Sequence, residues 1–347
     1  MTRDKGRKGG DALSALWALM SFAFMGLMAA FAAALLAMTE INREGPSIEE
    51  KVFVVPSGAG AIQVANLLHA DALVRHPLAF RAAAILYGRD RPLQAGEYAV
   101  QAGASPREIA QMIASGDALL HDLTIPEGWT TATAMERIAA ATFLTGDMPE
   151  TPPEGSILPD TYHAPRGMTR AALVEVMRDA HAAFLAEAWE GRAPDLPIRT
   201  PEEAVILASI VEKETGIASE RAEIAGVFVN RLRRGMRLES DPTIIYGVCQ
   251  CNRLRDAQGQ PRGIRRSELD RRTPYNTYQI DGLPPGPIAN PGREAILAVL
   301  NPPPTDNLFF VALVPGDPSQ GHVFSSSYAD HNAAVQRYRA LEAEAGD

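Results

Sequence analysis

The sequence predicts an α+β protein with a single N-terminal transmembrane helix, a small α+β subdomain and a larger mixed α+β domain. Three observations carry that expectation. An uncharged apolar run lies near the N-terminus, short strand-like runs occur in pairs among helices, and helix caps punctuate the chain. The 347 residues are 46% hydrophobic and 22% charged, enough apolar surface for more than one core. A formal charge of −9 and a pI near 5.4 argue against a nucleic-acid binder, which carries a basic face.

From Ala12 to Met38 no side chain is charged. As a helix at ~1.5 Å per residue this run spans roughly 40 Å. The hydrocarbon core of a bilayer is ~30 Å thick, so the run crosses it with some tilt. Arg3, Lys5, Arg7 and Lys8 precede it; Glu40, Glu44, Glu49 and Glu50 follow, with Arg43 and Lys51 among them. Basic flanks stay cytoplasmic. The expected topology is single-pass in the cell inner (plasma) membrane, with residues 1–11 cytoplasmic, 12–38 spanning, and the remainder outside. A cleaved signal peptide fits less well, because its apolar stretch is about 7–15 residues.

Residues 39–50 read as a polar tether. Val52–Val55 reads as a strand, followed by a turn at Pro56-Ser-Gly58 and a helix over 61–70. A second helix over 77–87 stops at Gly88, and Glu97–Val100 reads as another strand. Ser105-Pro-Arg-Glu108 has capping-box spacing with proline in the first turn, and Gly116 closes that helix. Leu123-Thr-Ile-Pro-Glu-Gly128 echoes Val54-Val-Pro-Ser-Gly58, and Thr133 to Glu136 repeats the capping spacing. Small strand–helix units of this kind resemble LysM-type glycan-binding modules, although an ordinary α+β arrangement gives the same pattern. The expected division is a LysM-like subdomain over 51–120 and a second domain over 121–347. In the latter, Thr169 opens an amphipathic helix with Leu173, Val176, Met177, Ala180 and Phe184 on one stripe. Strands at Phe309–Val314 and His322–Ser325 and a helix near 329–343 end the chain.

Thr200-Pro-Glu-Glu203 is a further capping box and starts a helix that runs to Glu214 and stops near Gly216. On a wheel of 100° per residue, Ser209, Glu212 and Lys213 fall on one side, the expected solvated face. Leu207, Ile210 and Val211 mark the opposite side, and Glu214 falls among them. Two carboxylates two positions apart point in nearly opposite directions, so Glu212 and Glu214 are not a cooperating pair. A carboxyl on an apolar face resists ionisation. A glutamate with a pKa of about 4.3 is protonated roughly 0.2% of the time at pH 7; raising it by about two units gives about 17%, enough for a general acid. The bland alternative is a helix-end glutamate that frays into water or pairs with Arg221.

Further on come Ser240-Asp-Pro-Thr-Ile-Ile-Tyr-Gly247, Thr273-Pro-Tyr-Asn-Thr-Tyr278 and the proline-stiffened Gly282–Gly292 loop. Tyrosine faces and amide groups beside rigid turns suit a sugar cleft, and equally suit tight turns with buried tyrosines. Cys249 and Cys251 form Cys-Gln-Cys. A bridge between them closes a small ring, so they are expected to be incidental loop cysteines rather than a disulfide framework.

These segments resemble the endolytic murein transglycosylases, the YceG-like (MltG-type) family. The resemblance rests on Leu158-Pro-Asp-Thr-Tyr162, Ala208-Ser-Ile-Val-Glu-Lys-Glu-Thr215, Ser219-Glu-Arg221, Val227-Phe-Val-Asn-Arg-Leu232, Met236-Arg-Leu238, Ser240-Asp-Pro-Thr243, Tyr246-Gly247, Tyr275-Asn-Thr-Tyr278 and Gly282-Leu-Pro-Pro-Gly286, in that order. It covers nearly all the chain beyond the apolar run. The 249–263 loop departs from the pattern, which leaves its role open. The resemblance implies lyase chemistry on the β-1,4 bond between N-acetylmuramic acid and N-acetylglucosamine, giving 1,6-anhydro ends. It implies Glu214 as catalytic acid/base, and with it Asp241, Tyr246, Tyr275, Asn276 and Tyr278 are expected to bind substrate. Implied partners are peptidoglycan glycan strands and peptidoglycan synthases, with a role in ending nascent strands.

Other functions remain open on the sequence. A non-catalytic glycan-binding scaffold would keep the fold without the chemistry. A hydrolase would use Asp241 or Glu212 to activate water. A Ser209/Lys213 peptidase dyad lacks an oxyanion motif. The sequence has no His-Glu-x-x-His motif and no Gly-x-x-x-x-Gly-Lys loop, so neither a metal nor a cofactor is expected.

Overall fold

The structure is a computed structural model that describes residues 8–88, 92–317 and 320–345. The flanking Arg3, Lys5 and Arg7, on which the expected orientation leans, lie outside the described residues. The protein is mixed α+β and divides into two compact units, residues 1–121 with 165–167 and residues 122–164 with 168–347.

The first unit begins with α1 (Lys8–Asn42), whose segment Leu16–Asn42 is long and apolar enough to cross a membrane. From Leu16 onward its apolar side chains stand exposed until Ile41, which enters the core of the unit. β1 (Lys51–Val55) pairs antiparallel with β2 (Gly96–Val100), Phe53 opposite Tyr98. Alternation turns Phe53, Val55, Tyr98 and Val100 inward. There they meet Val64 and Leu68 of α2 (Ala61–Ala70), Phe80 of α3 (Pro77–Tyr87), and Ile109 and Ile113 of α4 (Pro106–Ser115). Ser105 and Glu108 form the expected capping box at α4, with Gly116 in the left-handed C-cap conformation.

β3 (Leu120–Thr124) leads into the second unit and pairs with β4 (Thr161–Pro165). Between them lies α5 (Thr131–Ala139), capped by the Thr130 hydroxyl rather than by Thr133, which supplies the backbone N–H. α6 (Arg170–Glu190) is capped by Thr169 as expected, but buries Leu173, Val174, Met177 and His181, leaving Val176 45% exposed. Its inward face is therefore rotated from the predicted stripe by the neighbours it packs on.

The centre of this unit is α7 (Pro201–Glu214), packed by α8 (Arg221–Arg233, entered through a 3-10 turn at Ala218–Glu220) and α11 (Arg293–Leu300). Leu207, Ile210 and Val211 meet Ile224, Phe228, Ile296 and Val299. α9 (Asp241–Cys249) and the single-turn α10 (Arg266–Leu269) follow α8. β5 (Phe309–Ala312) and β6 (His322–Ser325) form an antiparallel ribbon before α12 (Tyr328–Ala345).

The wheel fails at α7 for a physical reason. Every residue from Ala204 to Val211 is buried, as in a helix enclosed on all sides. Ser209 is fully buried, donates to the Ile206 carbonyl at 2.7 Å and accepts the Ile288 N–H at 3.0 Å. The side expected to face water is covered by the 282–292 loop. Thr200 does cap α7 by accepting the Glu203 N–H, but the Glu203 carboxylate takes the Arg199 N–H instead of closing the box.

The cysteine expectation is also corrected. Cys249 and Cys251 are joined as a disulfide, their Cα atoms 5.2 Å apart. The ring forms because α9 ends there: Gln250 takes the left-handed conformation (φ 50°, ψ 39°) and folds the chain back. Thiol titration of the unreduced, denatured protein is expected to find no free thiol; two reactive thiols would contradict the pairing.

Candidate active site

Glu214 is the last residue of α7, where the negative end of the helix dipole disfavours a carboxylate. Glu214 is half-buried, with its carboxyl packed against the start of α9. Burial pushes this carboxyl up to about 7. The Ser240 hydroxyl, donating to Oε1 at 2.5 Å, works against that rise, the Asp241 charge adds to it, and Arg231 opposes it. Arg221 does not pair with Glu214; its guanidinium lies 3.5 Å from both Glu127 and Glu212.

Ser240 occupies the N-cap of α9 yet makes no side-chain cap there, because its hydroxyl is turned to Glu214. Giving up an N-cap costs about 1 kcal/mol, so the diversion is a structural commitment. A buried threonine pair holds Ser240. Thr277 Oγ1 accepts the Ser240 N–H at 2.9 Å, and Thr243 donates to the Ser240 carbonyl at 2.6 Å while bonding Thr277 at 2.9 Å. Arg231 is buried and ties the stretch just before Ser240 to the start of the terminal ribbon, donating to the carbonyls of Leu238 at 2.9 Å and Leu308 at 2.7 Å. Sequence reading missed Ser240, Thr277 and Arg231 as site residues; the diverted cap serine before Asp-Pro was the available signal.

The expected binding residues separate into three groups. Asp241 is exposed beside Ser240 and accepts the Tyr278 hydroxyl at 2.8 Å. Burial, and then the Asp241 charge, push the Tyr278 phenol far up, so it stays a donor. These two stand with Glu214. Tyr246 lies further along α9 and Tyr275 belongs to the 273–278 loop; their rings meet edge to face with centres 5.0 Å apart. The Tyr246 hydroxyl donates to Glu154 at 3.2 Å. Glu154 also accepts from the Thr131 backbone at 2.7 Å, a carboxylate that sequence patterns left in an anonymous loop.

Asn276 is placed differently. It is buried, its amide donates to the carbonyls of Leu269 and Arg271 at 3.0 and 2.7 Å, and its oxygen accepts the Tyr278 N–H at 3.0 Å. The side chain is thus committed to holding the tyrosine loop on α10. α10 is tied in turn to the 249–263 loop by Arg262, which holds the Glu268 carboxyl down to about 2. Asn276→Ala is expected to cost about 2–4 kcal/mol by orphaning these buried backbone groups. Denaturant unfolding measures it; a loss under ~0.5 kcal/mol would mean the loop holds without the amide.

Glu212 corrects the expected solvated residue. Its side chain is 6% exposed, accepts the Gly292 N–H at 3.0 Å and faces Arg221. A Cβ at Gly292 would stand 1.8 Å from Glu127 Oε1, so a larger residue there would require the half-exposed Glu127 side chain to move. Lys213 donates to the Gly128 carbonyl at 3.2 Å, and burial lowers its pKa. Neither a Glu212 water-activating base nor a Ser209/Lys213 dyad has its groups free. Among the described residues, several surface concavities are lined by other side chains, and Glu214, Asp241 and Tyr278 line none of these.

A carboxyl pushed towards neutrality by burial, with a serine hydroxyl aimed at it and a tyrosine beside it, is an arrangement that can both give and take up a proton. The YceG-like family model matches residues 53–337, and the chain belongs to that family. It is 29% identical over 334 residues to a Streptococcus pneumoniae protein named endolytic murein transglycosylase, covering 82% of this chain and 57% of that one. It is 27% identical over 321 residues to the Bacillus subtilis protein of that name, covering 82% and 83%. The chain therefore spans little more than half the length of the pneumococcal relative. A crystal structure of a yceG-like protein from Listeria monocytogenes superposes with a TM-score of 0.48 at 24% identity, covering 83% of this chain and 99% of that one.

Proposed function

We propose that this chain is an endolytic peptidoglycan lytic transglycosylase, a lyase, with Glu214 as its acid/base. The observation that carries the reading is the Glu214 carboxyl, raised by burial to about 7 and addressed by one hydroxyl donor. Protonated Glu214 gives its proton to the glycosidic oxygen as the bond from muramoyl C1 breaks. Positive charge then develops at C1, and the exposed Asp241 carboxylate stands beside the site to stabilise it. The Glu214 carboxylate takes the proton of the muramoyl C6 hydroxyl, whose oxygen bonds to C1. Ser240 steadies Glu214 in its charged half of the cycle. No water is consumed, and the product carries a 1,6-anhydro end. An ordinary glycosidase needs a second carboxylate to direct water or attack C1. Glu212 is already committed to Arg221 and Gly292.

α1 serves in this reading as a single-pass anchor in the inner membrane, with the later residues outside. The first unit, two antiparallel strands with two helices between them, is read as a LysM-like glycan-holding module. Peptidoglycan synthases are the partners that such an enzyme would work beside when it ends nascent strands.

Incubating the full chain with peptidoglycan and weighing released muropeptides tests the reading. Fragments lighter by one water than reducing ends are expected. Reducing ends alone would assign a hydrolase, and no release would favour a glycan-binding scaffold. Ser240→Ala is expected to lower kcat about tenfold, the worth of one hydrogen bond to a charged group. It should also move the alkaline limb of the pH–rate profile upward, because a bond favouring the carboxylate is lost. A limb that stays in place would give Ser240 a merely structural role.

A further inference from the structure

α3 carries an apolar face that nothing in the first unit covers. Leu78, Ile85 and Leu86 are 69%, 79% and 53% exposed, while Phe80 and Ala83 on the other side are buried. Isolated exposed leucines need no explanation, but three on one face of an 11-residue helix do. Arg81 stands between them, three residues from Leu78 and four from Ile85, so it shares their side. From Arg75 to Gly88 the sequence holds Arg75, His76 and Arg81 and no acidic residue.

The position of α3 says what meets this face. Tyr87, directly after Ile85 and Leu86, lies under the Arg107 guanidinium, 4.8 Å from its ring centre. Arg107 also donates to Asn42, the last residue of α1, at 3.4 Å. The apolar run of α1 ends at Met38, so Asn42 stands about 6 Å further along the helix axis. The headgroup zone on each side of a bilayer is about 5–8 Å deep. The exposed end of α3 is therefore held where a membrane spanned by α1 has its outer interface.

We propose that α3 is an interfacial helix of that membrane, with Leu78, Ile85 and Leu86 at the acyl boundary and Arg81 among anionic headgroups. An apolar face with arginine at its edge fits a negatively charged leaflet. The first unit is then docked on the bilayer by two helices, one crossing and one lying on it. This rests on α1 being the membrane anchor.

The test uses the full chain in nanodiscs of phosphatidylethanolamine and phosphatidylglycerol, with nitroxide labels on Ile85→Cys, Leu27→Cys in α1 or exposed Gln336→Cys in α12. The native cysteines are paired and take no label. The label at 85 should be relaxed by oxygen over a water-soluble nickel chelate severalfold more than the label at 336, and should lie shallower than the label at 27. Free access of nickel at 85 would overturn the proposal, as would exclusion of both relaxants there, which means protein, such as a second copy, covers the face. An aqueous signal at 27 would instead overturn the anchor reading, and this inference with it. Arg81→Glu should raise nickel access at 85; unchanged access would remove the headgroup contact.

Discussion

Glu214→Gln should lower the rate of anhydro-muropeptide release by about 10³-fold, within the 10²–10⁴ that positioned acid–base groups contribute. The amide keeps nearly the same shape and can still accept from Ser240, so the loss reports chemistry rather than collapse. The effect should lie in kcat with little change in KM, because proton transfer occurs in the transition state. Residual activity within tenfold of the parent would assign the acid to another group, with Asp241 and Glu154 the next to test.

The same substitution should stabilise the protein at alkaline pH. Burial raises Glu214 from 4.5 to about 7. A group whose folded pKa is raised adds stability below its unfolded pKa and loses it as pH rises through the folded value. The parent therefore weakens relative to the glutamine variant from about pH 4.5 upward, reaching a constant deficit above about pH 7. A rise of about 2.5 units corresponds to about 3 kcal/mol. Urea unfolding at pH 5 and pH 8.5 should show a small difference at the lower pH and the full gain at the higher. Equal stability of the two proteins at both values would mean that the folded site exacts no desolvation cost. Together the two results describe a residue kept against stability, as expected for a group retained for chemistry.

How far the sequence could be read depends on what each residue leans on. Local signals were legible where the partner is a near neighbour, as in Ser105 with Glu108 or Thr169 with Ala172. β6 at His322–Ser325 and the N-terminal apolar helix were legible from runs of one character. Glu214 was singled out by the wheel for a reason only half right. Its neighbours Ile210 and Val211 do face the core, but so does every residue from Ala204 to Val211. What distinguishes the carboxyl is Ser240, twenty-six residues away, brought in by the return of α9. The solvated face assigned to Ser209 and Glu212 failed because the 282–292 loop covers it, through Ile288 and Gly292. No periodicity in α7 encodes a loop about eighty residues distant. Asn276 reads as a sugar-binding amide in isolation and as a loop lock once the carbonyls of 269 and 271 are placed around it.

The central physical claim is that Glu214 still holds its proton near neutral pH because burial removes water from its carboxyl. Infrared difference spectra of the parent against Glu214→Gln, recorded across a pH titration, isolate the C=O stretch of that one protonated carboxyl. The band should persist to neutrality and titrate away with a midpoint at about 7. A band already lost with a midpoint near the ordinary glutamate value of about 4.3 would contradict the account.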